Sequence, residues 1–133
     1  MHNIVAKAQL SPNVTRLDVV APRIAQIRQP GQFVIVRRGE GAERIPLTIA
    51  DADARAGTIA LVIQSVGKST QELVALEPGE AITDIAGPLG HPTELIGSGH
   101  ALCIGADSHD LAVVGNLFAN GDVVDHTGKV QIR

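Results

Sequence analysis

A chain of 133 residues with 44% hydrophobic and 19% charged residues has the size and composition of one globular domain, not of a disordered segment. Its net charge of −3 and only two aromatic residues, Phe33 and Phe118, remove the electrostatic and stacking basis for binding nucleic acid, and its apolar runs are too short to span a bilayer. The single Cys103 excludes an intrachain disulfide and any all-cysteine iron–sulfur or zinc site within this chain; with no charged, apolar leader at the start, a cytoplasmic protein is expected.

The first part of the chain reads as strands. Ile4, Ala6, Ala8 and Leu10 alternate until Ser11-Pro12-Asn13 breaks the run, and Thr15, Leu17 and Val19 alternate again before Ala21-Pro22. Gln32 to Arg37 follows the Pro30-Gly31 turn and is apolar on both faces, which predicts a central strand with Phe33 in the core. Leu47 to Ala50 is a short fourth strand, and Thr58 to Gln64 a fifth with Ile59, Leu61 and Ile63 on one side. Ser69 and Glu72 have the spacing of a capping box, and Thr70, Leu73, Val74 and Leu76 follow at helical spacing until Pro78-Gly79. Ala81 to Ile85 is a sixth strand, closed by a turn at Gly87-Pro88-Leu89-Gly90. The fold expected for residues 1–97 is therefore mainly β: a six-stranded antiparallel Greek-key barrel with one capping helix.

Residues 98–133 read differently. Ala101 to Gly105 has the pattern of a buried strand, Asp107 or Ser108 would cap a helix through Leu111, Val114 and Phe118, and short strands at Val123-Val124 and Val130-Ile132 flank turn signals. His100, Cys103, Asp107 and His109 do not make a metal site, because positions 100 and 103 of an extended strand point to opposite faces. The consecutive Ser108, His109 and Asp110 cannot adopt the mutual geometry of a catalytic triad.

Two stretches carry candidate chemistry. In Arg44-Ile45-Pro46-Leu47-Thr48 an arginine stands beside a strand end, where its planar guanidinium suits a pyrophosphate. Taken alone, the same stretch describes a surface arginine before an edge strand that begins at a proline. Val66-Gly67-Lys68-Ser69-Thr70 resembles the end of a phosphate-binding loop but has Val62 where that pattern needs glycine. A glycine turn feeding a helix, with Lys68 and two hydroxyls, is either an anion site or a plain helix cap.

Together with Pro30-Gly31-Gln32-Phe33 and Gly87-Pro88-Leu89-Gly90, these stretches resemble, in order and spacing, the flavin domain of the ferredoxin–NADP reductase superfamily over residues 3–97. The likeness is strongest to the electron-transfer subunit of dihydroorotate dehydrogenase and the small subunit of bifurcating ferredoxin:NADP oxidoreductases. The resemblance implies an FAD site made by Arg44, Pro46, Leu47, Thr48, Gly67, Lys68, Ser69 and Thr70. Leu47 would lie against the isoalloxazine, Thr48 would reach its reactive edge, and Gly67 to Thr70 would receive the diphosphate. The wider superfamily has Arg-x-Tyr-Ser where this chain has Arg44 four residues before Thr48 and Leu47 in place of the tyrosine.

The family's nucleotide-binding domain is expected to be vestigial in residues 98–133, because Gly105-Ala106-Asp107-Ser108-His109 replaces its glycine run and the cluster-binding cysteines of the relatives are missing. NAD(P) and an iron–sulfur cluster are thus not expected. No side chain reads as a general acid or base. The function implied is a flavin-binding electron-transfer module in an oxidoreductase that acts with a partner chain; the alternative is a barrel without flavin that serves as an assembly or scaffold subunit. Apolar surface where a second domain would dock predicts a homodimer or a redox partner subunit.

Overall fold

The computed structural model describes residues 1–94 and two short strands further on, Val123–Val124 and Val130–Gln131. The expected boundary at residue 97, the strand at Ala101 and the helix through Leu111 lie outside the described residues. The two late strands pair antiparallel, Val123 opposite Gln131 and Val124 opposite Val130, as the turn signals around them imply.

Seven strands form one antiparallel sheet: β1 (His2–Ser11), β2 (Val14–Val20), β3 (Phe33–Arg37), β4 (Arg44–Asp53), β5 (Thr58–Gln64), β6 (Ala81–Ile82) and β7 (Asp84–Leu89), in the spatial order β6-β1-β2-β5-β4-β3-β7. The connection from β2 to β3 passes over β5 and β4, which is the Greek-key arrangement. β6 and β7, at the two edges of that order, are one extended stretch interrupted only at Thr83, so the sheet curls into a nearly closed barrel. The expected sixth strand is thus two: its first residues pair with His2 and Asn3, and the rest pair with β3. Gly87-Pro88-Leu89 is not the exit turn but the end of β7.

The core is aliphatic throughout. Leu17, Val19, Val34, Val36, Ile59, Leu61, Ile63 and Ile82 have no accessible surface, with Ile4 and Ile49 almost as deeply buried. Ile59, Leu61 and Ile63 share the inner face as their alternation implies. On β3 the inner face belongs to Val34 and Val36, whereas Phe33 is half-buried with its ring against Gly90, not in the core. The expected inner set on β1 also fails beyond Ile4. The pairing steps from Ile4–Val19 to Ala6–Asp18, leaving Val5 as a bulge. A one-residue insertion reverses which side chains face inward, so Ala6, Ala8 and Leu10 turn to solvent.

Two helices, not one, flank the barrel. α1 (Pro22–Ile27) begins at Ala21-Pro22, which the sequence reading took as a plain break; a proline is compatible with a first helical turn because its missing N–H would be unbonded there anyway. Its Ile24 and Ala25 are buried against the core. α2 (Lys68–Val74) buries Leu73, and Leu76 follows it into the core. α1 follows the end of β2 and α2 the end of β5; since Val20 pairs with Thr58 and Val14 with Gln64, the helices sit at opposite ends of that ladder.

Gly87 has φ +156, and a Cβ on it would stand 2.8 Å from Val34 Cγ1 and 3.2 Å from the Phe33 carbonyl oxygen. Val34 has no accessible surface and cannot yield. Gly87→Ala is therefore expected to destabilise the barrel by about 1–3 kcal/mol, read as a lower urea midpoint with an unchanged slope; an unchanged midpoint would mean that β7 does not approach β3 as described.

Candidate functional site

β4 changes partners along its length. From Asp53 back to Ile49 it pairs with β5, but Arg44–Thr48 pairs with β3 alone, Thr48 opposite Phe33, Pro46 opposite Ile35 and Arg44 opposite Arg37. Among the described residues, no strand lies on the other edge of Arg44–Thr48. The Ile49 N–H donates to the Gln32 carbonyl at 3.1 Å, which fixes the alternation: Ile45 and Leu47 turn their backbone groups to β3, and Arg44, Pro46 and Thr48 turn theirs to the open edge. Pro46 thus lies where its missing N–H costs no ladder bond, inside a strand that is longer than the expected Leu47–Ala50.

The side chains divide accordingly. Ile45 and Leu47 are half-buried and pack on the core, while Arg44, Pro46 and Thr48 are exposed together on the outer face. Arg44 and Thr48 are separated by roughly 13 Å of strand at the usual rise per residue. The placement of Arg44 opposite Arg37 matters, because like charges directly across a sheet are unfavourable. Arg37 is neutralised by Asp84 of β7, its Nε donating to Oδ2 at 2.7 Å. Arg44 has no ion pair among the described residues, and neither has Lys68.

At α2 the expected capping box is not the cap. The Thr70 Oγ1 accepts from the Val66 N–H at 2.9 Å and the Gly67 N–H at 3.0 Å, and donates to the Gly67 carbonyl at 3.0 Å. Ser69 instead donates its hydroxyl to Glu43 Oε2 at 2.5 Å, and Glu72 receives Arg38 Nε at 3.5 Å. Thr70 can hold the turn because three hydrogen bonds converge on one hydroxyl, leaving Ser69 free to face the loop between β3 and β4. That loop brings the two sequence motifs together. Arg38, Glu40, Gly41, Ala42, Glu43, Lys68, Ser69 and Glu72 line an open cleft of about 270 Å³, and Arg44 is the residue after Glu43.

Of the expected site residues, Arg44, Pro46 and Thr48 share one exposed face, and Gly67, Lys68 and Ser69 stand beside the Arg44 end of it. Leu47 is on the core side of its strand, and the Thr70 hydroxyl is committed to the cap. Arg38 and Glu43 carry no motif in the sequence, and Glu72 enters there only as a capping residue. The cue for Arg38 and Glu43 is the mixed charge in Arg38 to Arg44, but their contacts, to Glu72 and Ser69, cross 26 or more positions and have no local pattern. As a donor set, two unpaired cations, one serine hydroxyl and the open backbone edge of β4 fit a phosphate-bearing ligand. Among the described residues no group of three or more His, Cys, Asp or Glu stands close enough to hold a metal ion.

The other two motifs meet at the opposite end of β3. The Thr93 N–H donates to the Pro30 carbonyl at 2.8 Å and Gln32 Nε2 to the Gly90 carbonyl at 3.0 Å. The chain leaving β7 is thereby tied over the Pro30-Gly31 turn.

No protein-family model matches the chain. It is 48% identical over 96 residues to an uncharacterized protein in the adh 3' region of Clostridium beijerinckii, covering 72% of this chain and 32% of that protein. It is 38% identical over 105 residues to the dihydroorotate dehydrogenase B (NAD(+)) electron transfer subunit homolog of Thermotoga maritima, covering 79% and 37%. Among solved structures it is similar to the NADH-dependent reduced ferredoxin-NADP oxidoreductase studied for flavin-based electron bifurcation, with a TM-score of 0.69, 39% identity and coverage of 71% of this chain and 34% of that one. It shares its fold with the cytochrome b5 reductase domain of Ulva prolifera nitrate reductase, with a TM-score of 0.51, 23% identity and coverage of 68% and 40%. The barrel is of the ferredoxin–NADP reductase type. The chain spans about a third of the length of the curated relatives it matches. In this reductase-type barrel the loop after β5 depends on Thr70. Thr70→Val should lower stability by about 1–2 kcal/mol, whereas Thr70→Ser should retain most of it, as measured by thermal or urea unfolding.

Proposed function

We propose that this barrel binds a flavin, FAD by its family likeness, and works as an electron-transfer module with a partner chain. The observation that carries the reading is Arg44: an exposed cation set opposite a second arginine, left without a carboxylate among the described residues, and next in the chain to Glu43, which lines one cleft with Lys68 and bonds to Ser69. A charge in that position is relieved by an anion from outside. Arg44, Lys68 and Ser69 would hold the diphosphate, with Gly67 keeping the turn open; nothing stands within 4 Å of where its Cβ would be. The Pro46 and Thr48 end of β4 would support the ring system, with Leu47 behind it from the core side. When bound, the flavin supplies the one- and two-electron chemistry. The chain's own contribution is to bind it, orient it and offer hydrogen-bond donors along an open strand edge. No acid–base residue is assigned. The similarity to an electron-transfer subunit homolog and to a ferredoxin-NADP oxidoreductase supports a redox partner, either a different subunit or a second copy that completes the site.

A second reading, an assembly subunit without flavin, is favoured by one observation: the cleft beside Arg44 is lined by three carboxylates, Glu40, Glu43 and Glu72, against two cations, Arg38 and Lys68. The two readings separate on a visible absorption spectrum taken before and after incubation with FAD and desalting. Retained flavin bands, with affinity falling about tenfold or more in Arg44→Ala and Lys68→Ala, support the flavin module; a colourless protein under all conditions supports the assembly role. The same Arg44→Ala change, made in flavin-free protein, should leave stability unchanged or raise it by up to about 0.5 kcal/mol, because it removes a like-charge pair across the sheet; chemical denaturation reads this directly.

A further inference from the structure

We propose that Glu43 is a resident anion that fills the phosphate position until a flavin displaces it, so that cofactor loading frees residues 39–43 of the loop between β3 and β4. The inference rests on the flavin reading above and adds a device to it. Glu43 Oε2 accepts the Ser69 hydroxyl at 2.5 Å, the short range of a charge-assisted bond. The carboxylate thereby takes the donor that a diphosphate would use, and the two cations adjacent in sequence to the bonded pair, Arg44 after Glu43 and Lys68 before Ser69, have no ion pair among the described residues.

The loop is built to let go. At its start the Arg38 carbonyl accepts from the Thr83 N–H and hydroxyl at 3.2 and 3.1 Å, and at its end Arg44 enters β4. Between these points the described contacts are an internal turn, Ala42 N–H to Gly39 carbonyl at 3.1 Å, and the single bond from Ser69 to Glu43. Gly41, at φ +72 with nothing within 4 Å of a Cβ, allows the segment to change course. A carboxylate and a phosphate cannot share one hydroxyl at contact distance without strong like-charge repulsion. An incoming diphosphate therefore turns Glu43 outward, and residues 39–43 lose their described hydrogen bond to α2, while Arg38 keeps the start of the loop on α2 through Glu72. A flavin without phosphate has no such exchange to make.

The test compares wild type with Glu43→Gln, an exposed position where the substitution keeps size and loses charge, by titrating each with FAD and with riboflavin and following flavin fluorescence. The expected result is FAD binding about tenfold tighter in Glu43→Gln with riboflavin binding unchanged, together with faster amide hydrogen exchange across residues 39–43 when wild type is loaded with FAD. Equal FAD affinities, or weaker binding by Glu43→Gln, would overturn the proposal; the second would make Glu43 a flavin ligand. If neither protein takes up FAD, the flavin reading fails by itself. Titration with inorganic pyrophosphate by calorimetry then decides the device separately: tighter binding by Glu43→Gln upholds it, and equal or weaker binding overturns it.

Discussion

The fold depends on one covalent constraint: the two outermost strands of the sheet are a single extended stretch, Ala81 to Leu89, broken only at Thr83. Because that stretch pairs with β1 on one side and β3 on the other, the sheet has to curl until its edges meet. Curling places the inner faces of the seven strands around one axis, and the interior then fills with Val, Ile and Leu; among the described residues no aromatic side chain belongs to the buried core. The same closure brings β7 against β3 so tightly that only a glycine fits at position 87. A chain almost without aromatic residues can close a small barrel because branched aliphatics pack efficiently at native density.

Closure is not complete along every strand, and the two places where a ladder stops early are treated differently. β1 pairs with β6 only at His2 and Asn3, which leaves its further part without a second strand. There the chain has a bulge at Val5 and an ion pair from Lys7 to Glu77 at 3.0 Å, both of which disfavour addition of another strand. The first half of β4 has no bulge. It has a proline whose nitrogen faces the open side, and an arginine and a threonine with their side chains in solvent. An edge kept straight, polar and uncovered is suited to holding a ligand. On this reading the barrel's site is the gap in its own hydrogen-bond ladder.

Much of this was legible in the sequence, for definable reasons. Short alternating runs between proline and glycine turns give strands and a barrel, and the ordered motifs give the family, because both are local patterns. What failed was non-local. The bulge at Val5 cannot be read from alternation, since Ala6, Ala8 and Leu10 keep a correct period on the wrong face. Ala21-Pro22 marks a strand end equally well whether a turn or a helix follows, and the burial of Ile24 and Ala25 decides for the helix. Ser69 and Glu72 satisfy the spacing of a capping box, yet each finds a stronger charged partner across the cleft, Glu43 and Arg38, and Thr70 takes over the cap. A strand apolar on both faces gives no sign of which set faces inward; Val34 and Val36 take the inner face of β3, and Phe33, on the other side, lies with its ring against Gly90.

The charges at the Arg44 end follow a rule that links stability to function. Two arginines face each other across β3 and β4, and the sheet tolerates the first because Asp84 stands beside it. A second carboxylate placed on Arg44 would settle the remaining charge and give a more stable free protein, and such a group is close at hand in Glu43. It bonds to Ser69 instead, one step away. The cation is thus left available while its neighbouring hydroxyl is occupied, so attraction for an outside anion and resistance to a weakly bound one come from adjacent residues. On the proposed flavin reading, a phosphate-bearing ligand with further contact along Pro46 and Thr48 would displace the carboxylate, whereas a free anion would have only the cations and the hydroxyl to bind. On that proposal, selectivity for a large ligand over a bare phosphate would follow from where one glutamate rests.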